Sequence, residues 1–145
     1  EQENTLYLSS SISQFHWPKG NAPIVCFAGG TGITPIMTLL QENLYRNTRP
    51  TFLYWGVRNY ALAYLQQELI QLQQNNNYFS YQIILSADPE FNENSVQHGF
   101  IPDLLNQGKI TLPSESSDMI ICGPWAMLTG IKSALPSSTS HSIQS

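Results

Sequence analysis

Short apolar runs rich in β-branched and aromatic residues alternate along most of this chain with longer segments whose apolar residues recur at helical spacing. A strand followed by a crossover helix pairs in parallel with the next strand, so the pattern predicts an α/β fold with a doubly wound parallel sheet. The strand-like runs are 23–28 (PIVCFA), 51–57 (TFLYWGV), 80–87 (SYQIILSA) and 118–122 (DMIIC). Ile33, Ile36, Met37, Leu40 and Leu44 form a helical stripe that ends near Asn47, with Pro50 beyond it as a stop signal. A second helix is predicted from residue 61 to about 74, burying Leu62, Leu65, Leu69 and Leu72. A short one is expected over 101–105, and a last one over 125–135 with Met127, Leu128, Ile131 and Leu135 inward. The acidic stretch through Asp88, Glu90 and Glu93 reads as an irregular loop facing water, and a fifth strand as missing or barely begun.

The chain has 145 residues, 41% of them hydrophobic, which suits a single core. Six Lys and Arg stand against ten Asp and Glu, with no basic stripe on any predicted helix, so nucleic acid is a poor partner. The longest apolar run, 23–28, is far short of a membrane span, and residues 1–20 hold no signal-peptide core, so a cytoplasmic protein is expected. Cys26 and Cys122 lie in strand-like runs outside any ligand spacing, and no metal site is expected. Cys26 reads as a small buried hydrophobe. His16 reads as a linker residue. Residues 1–20 hold one alternating piece, 5–8 (TLYL), and read as the edge of a preceding domain plus a linker. Residues 136–145 are Ser-rich, with Ile143 the one apolar side chain, and read as a polar tail.

The most informative motif is AGGTGITP at 28–35, placed where the first strand turns into a helix. Glycines there admit close backbone approach by a ligand, and the free N–H groups and positive dipole end of the helix attract a pyrophosphate. Thr34 suits the N-cap and Pro35 the first helical position. The motif departs from G-x-G-x-x-G, since Pro35 stands where the third glycine would fall and Val57-Arg58-Asn59 closes the second strand without an acid. No Lys-Ser/Thr pair follows the glycines, which disfavours an NTPase phosphate loop.

The second motif is Cys122-Gly123-Pro124, with Met127 three residues on, at the carboxyl end of the fourth strand-like run. In a sheet of order 3-2-1-4(-5) the first and fourth strands flank the topological switch point. The two glycine motifs then face each other across one crevice.

AGGTGITP, TFLYWGVR with Leu65, Glu68 and Leu69 downstream, HGFIPDLL at 98–105 and CGP with Met127 together resemble the NAD(P)-binding domain of the ferredoxin-NADP reductase superfamily. The likeness runs from about residue 23 to 135 and is strongest toward bacterial flavin reductases and the reductase components of oxygenases. TLYL resembles the last strand of the flavin barrel in that superfamily. Residues 143–145 resemble the start of the final strand of the nucleotide domain, so both ends are expected to be cut.

The resemblance implies a three-layer α/β/α domain over 21–135 that binds NAD(P)H. It belongs to a flavoprotein passing a hydride from nicotinamide C4 to FAD and then electrons to a ferredoxin or other iron-sulfur protein, a flavin or an oxygenase. FAD would be held mainly by a domain not in this chain, and a 2Fe-2S cluster could lie elsewhere in the full protein. By likeness, Gly29, Gly30, Thr31, Gly32, Thr34 and Pro35 belong to the dinucleotide site, with the middle residues cradling the pyrophosphate. Cys122 would sit near nicotinamide C4 as the catalytic residue, above a floor shaped by Gly123, Pro124 and Met127, and Arg58 falls at the adenosine end. The alternatives are a non-catalytic dinucleotide-binding regulatory domain and a flavodoxin-like scaffold.

Overall fold

The computed structural model describes residues 16–93, 96–113 and 116–135, and the backbone of 142–144. The alternating piece at 5–8 and most of the polar tail lie outside the described residues. The elements run β1 (Ile24–Gly29), α1 (Ile33–Asn43), β2 (Thr51–Val57), α2 (Gln66–Asn75), β3 (Phe79–Leu85), β4 (Val96–His98), α3 (Ile101–Asn106), β5 (Asp118–Cys122), α4 (Trp125–Ala134) and β6 (Ser142–Gln144). The six strands form one sheet in the order β4-β3-β2-β1-β5-β6, and each neighbouring pair is parallel. The expected order 3-2-1-4(-5) is thus present as β3-β2-β1-β5-β6, with β4 added at one edge.

Every residue of β1 is buried, as a central strand covered on both faces requires. Its side chains alternate between two clusters. Ile24, Cys26 and Ala28 join Leu53, Trp55, α1 and Leu69 of α2 on one face. Val25 and Phe27 join Met119, Ile121, α3 and α4 on the other. Burial of each Leu- or Ile-sized side chain contributes about 1.5–3 kcal/mol, so α2, whose buried residue is Leu69, is held far more lightly than α1 with six.

Four expectations are corrected. The second helix begins at Gln66, not residue 61: Tyr60–Leu62 is a separate 3-10 turn, and Ala63 leaves the helical region at φ −85° and ψ 70°. Leu62 is consequently 49% exposed, where the periodicity had placed it in the core. Thr34 is not the N-cap of α1. Gly32 holds that place and Ile33 begins the helix, which puts Pro35 at the third position, where its missing N–H still has no intrahelical partner to lose. The loop through Asp88, Glu90 and Glu93 is irregular as expected, and beyond it comes β4, whose three residues pair with Ile83, Ile84 and Leu85, too short a run for periodicity to reveal. The last strand, expected to be barely begun near residues 143–145, is present as the three-residue β6, which pairs with Asp118, Met119 and Ile120.

At the amino ends of the strands, Arg49 is buried. Its guanidinium donates to the carbonyls of Ala22 (2.6 Å) and Pro18 (2.5 Å) and to Asp118 Oδ2 (2.5 Å). One cation thereby ties the segment before β1 to the starts of β2 and β5.

Candidate functional site

β1 runs extended through Gly29 and then turns at Gly30, whose φ of +54° lies in the left-handed region that glycine adopts without a Cβ penalty. Gly32, at φ −62°, needs no such freedom, and its glycine character has another cause. A Cβ there would sit 2.6 Å from the carbonyl carbon of Cys122 and 3.0 Å from Gly123 Cα. A Cβ on Gly123 would in turn meet Gly29 N at 3.0 Å, and one on Gly29 would meet Met127 Sδ at 2.7 Å. The turn after β1 and the turn after β5 therefore touch backbone to backbone, and only residues lacking Cβ permit it.

They meet because β5 pairs with β1 on the side opposite β2, which makes β1 the strand at which the winding reverses. Ligand crevices of open α/β sheets form at this place. Helices α1 and α4 start just past the two turns, and neither carries an acidic residue in its first turn to neutralise the positive end of its dipole.

A cleft of about 830 Å³ opens at the carboxyl ends of the strands, within the range of small-molecule sites. Of the residues expected at the site, Gly29, Gly30, Thr31, Arg58, Pro124 and Met127 line it. Gly32, Thr34, Pro35, Cys122 and Gly123 do not. Gly32 and Gly123 form the contact between the turns, Pro35 is buried in α1, and Thr34 is exposed with Oγ1 3.4 Å from the hydroxyl of Tyr64. Cys122 is 6% exposed, and its side chain belongs to the cluster beneath α1. Burial pushes its thiol above the ordinary range, so it stays protonated at neutral pH.

Several lining residues escape a reading of the sequence. Tyr64, Phe100 and Asp103 come from segments remote from both glycine motifs. Gly56 left a legible signal, a glycine inside a strand run, which marks close approach to the backbone. Gly130 also lines the cleft, and a Cβ there would stand 2.7 Å from Pro102 Cγ, so glycine allows α3 and α4 to cross closely. Arg58 and Asp103 are charged groups of opposite sign in a mostly apolar lining. Asp88, far along the chain from Arg58, accepts the backbone N–H of Tyr60 at 3.0 Å and so pins the loop that follows Arg58.

The glycine turn has a partner from the neighbouring strand. Trp55, fully buried, donates its indole N–H to the carbonyl of Gly30 at 2.9 Å. Tyr64 meets the same indole edge-on, with centroids 5.7 Å apart at 76°. Among the described residues, no group of three His, Cys, Asp or Glu side chains could hold a metal ion, and no helix is long and apolar enough to cross a membrane.

Comparison with known proteins agrees with this geometry. The chain is 32% identical over 118 residues to a protein of Aliivibrio fischeri named as a probable flavin reductase, a match covering 81% of this chain and 48% of that one. It is 29% identical over 132 residues to the anthranilate 1,2-dioxygenase electron transfer component of Acinetobacter baylyi, covering 90% and 37%. The chain thus spans half or less of these curated relatives. Its fold matches that of the cytochrome P450 reductase GcoB of Amycolatopsis with a TM-score of 0.70 at 23% identity, covering 93% of this chain and 42% of the other. Residues 27–133 match the family described as oxidoreductase NAD-binding domain. With both glycine turns inside that match, the chain belongs to the oxidoreductase NAD-binding domain family, of the ferredoxin-NADP reductase type.

Proposed function

We propose that this chain is the NAD(P)H-binding domain of a flavin-dependent oxidoreductase that passes electrons onward to an iron-sulfur protein, a flavin or an oxygenase. The observation that carries the reading is the contact between the turns after β1 and β5 at the mouth of the cleft. The fit to a dinucleotide is physical. A Cβ added at Gly30 would meet nothing within 4 Å, so the left-handed turn borders open space, and the cleft continues from it past Arg58 on one side and Met127 on the other.

When bound, the reduced nicotinamide supplies a hydride from C4 and the flavin accepts it at N5. The chain's own work is placement. Gly30, Thr31 and Gly32 present the turn and the positive end of α1 to the pyrophosphate. Thr34 and Pro35 shape the first turn of that helix. Arg58 offers a cation to the adenosine end, and Gly29, Gly123, Pro124 and Met127 set the wall beneath the nicotinamide. Cys122, closing β5, packs beneath α1 and so holds in place the turn that carries Gly123 and Pro124 below the ring.

FAD would be held mainly by a flavin-binding barrel of the same protein, with residues 1–20 as its trailing edge and linker, and residues 21–135 as the nucleotide domain. The match to a dioxygenase electron transfer component supports an iron-sulfur or oxygenase acceptor. The match to a flavin reductase supports free flavin as acceptor. The cytoplasm is the setting proposed. Calorimetric titration of the chain with NADH, NADPH and ADP-ribose tests the reading. Saturable binding of at least one nucleotide, competed by ADP-ribose, is the expected result, and no heat at millimolar ligand overturns it.

A further inference from the structure

We infer that Trp55 is a positioning residue for the nucleotide: its indole N–H holds the Gly30 carbonyl, and this fixes the direction in which the Thr31 N–H is presented to the pyrophosphate. The inference rests on the proposed dinucleotide reading of the cleft. A buried indole N–H requires an acceptor. The one Trp55 uses is not in its own strand or helix but in the turn, 25 residues away, at 2.9 Å.

Gly30 stands at φ +54°, and glycine reaches either sign of φ at similar energy, so nothing intrinsic keeps this turn in one state. No described peptide bond is cis, and a planar trans unit points its C=O and N–H in opposite directions. Clamping the Gly30 carbonyl toward the indole therefore turns the Thr31 N–H away from it. Thr31 lines the cleft, whereas Trp55 does not, so the tryptophan acts through the turn and not by touching the ligand.

Two further contacts hold the clamp. The N–H of Ile33 shares the same Gly30 carbonyl, and Tyr64 braces the indole edge-on from the cleft side while its hydroxyl reaches Thr34. A turn held in its binding conformation spares the ligand the entropy of ordering it.

The test is Trp55→Phe in the whole chain, which keeps a ring in the core and removes the donor. ADP-ribose, which carries the pyrophosphate, is expected to bind about fivefold to tenfold more weakly, the effect of one lost neutral hydrogen bond, while adenosine binds as to the wild type. Equal ADP-ribose affinity in variant and wild type overturns the role of Trp55 and leaves the dinucleotide reading standing. An equal loss for both ligands also overturns it, since that reports general loosening. A wild type that binds no ADP-ribose overturns the dinucleotide reading and this inference with it. Should Trp55→Phe fail to fold, benzothienylalanine at position 55 keeps both rings and replaces N–H by sulfur, and the same selective loss or its absence decides.

Discussion

Replacing Gly32 by alanine isolates the contact on which the cleft depends. The backbone at Gly32, φ −62° and ψ −10°, suits alanine, so conformational strain plays no part. The added methyl instead meets backbone atoms of the opposite turn, with the Cys122 carbonyl carbon at 2.6 Å where ordinary contact begins at 3.4 Å. Neither strand can rotate away, because Ala28 and Cys122 are registered partners in the central ladder. The Cys122 carbonyl oxygen lies nearer still, so the turns must part by more than the difference of 0.8 Å. Overpacking of this kind costs about 1–3 kcal/mol, or about 4–12 °C in Tm for a domain of this size. Displacing the pyrophosphate cradle by such a distance should weaken ADP-ribose binding about tenfold or more. Gly29→Ala is the control. Its Cβ meets the thioether of Met127, the far end of a flexible side chain, and Pro124 Cδ at 3.0 Å, with no backbone atom among its nearest neighbours, so a cost at the low end of that range, about 1 kcal/mol, is expected. Thermal unfolding followed by circular dichroism, with calorimetry on each variant, reads both effects. Gly32→Ala with wild-type Tm and affinity, or Gly29→Ala as damaging as Gly32→Ala, would refute the reasoning.

Arg49→Met should cost about 3 kcal/mol in a urea titration, because it strands the largely buried Asp118 carboxylate and the carbonyls of Pro18 and Ala22. ADP-ribose affinity should stay within about twofold, since the damage lies at the opposite ends of the strands; a large loss of affinity contradicts the placement. Burial pushes the Cys26 thiol up to about 12 from its ordinary 9.0, so between these values the unfolded chain has lost a proton that the folded chain keeps. Stability from this group is complete below pH 9.0 and is lost as pH rises toward 12, by up to about 1.4 kcal/mol per unit. Cys26→Val should show a shallower alkaline decline, and matching slopes would count against burial as the cause. Cys122→Ala in the full-length protein should slow flavin reduction in stopped flow while nucleotide affinity holds, and with the thiol protonated at neutral pH the rate should show no thiolate dependence between about pH 6 and 8. An unchanged rate removes Cys122 from the reaction.

The layout of this protein was legible in its residues because two periods and two glycine clusters are local properties. The strand runs led to a doubly wound sheet, and Gly30 and Gly123 marked the turns at the ends of β1 and β5. The run at 23–28 is apolar throughout, as a central strand requires, so only the packed sheet shows Ile24, Cys26 and Ala28 facing one helical layer and Val25 and Phe27 the other. Tertiary structure decided the rest, because it depends on which distant segments arrive at the same place. The period that placed Leu62 in a helix could not register that the chain turns at Ala63 and leaves Leu62 on the cleft wall. Thr34 has the chemistry of a cap, yet Gly32 occupies the position, since a side chain there would push the two turns apart. Trp55 reads as one more apolar residue of a strand, and its hydrogen bond to Gly30 exists only because β2 lies beside β1 in register. Local pattern specifies elements; the convergence of glycine backbone, indole and cleft wall is a property of the packed sheet, where steric exclusion between segments far apart in the chain selects one arrangement.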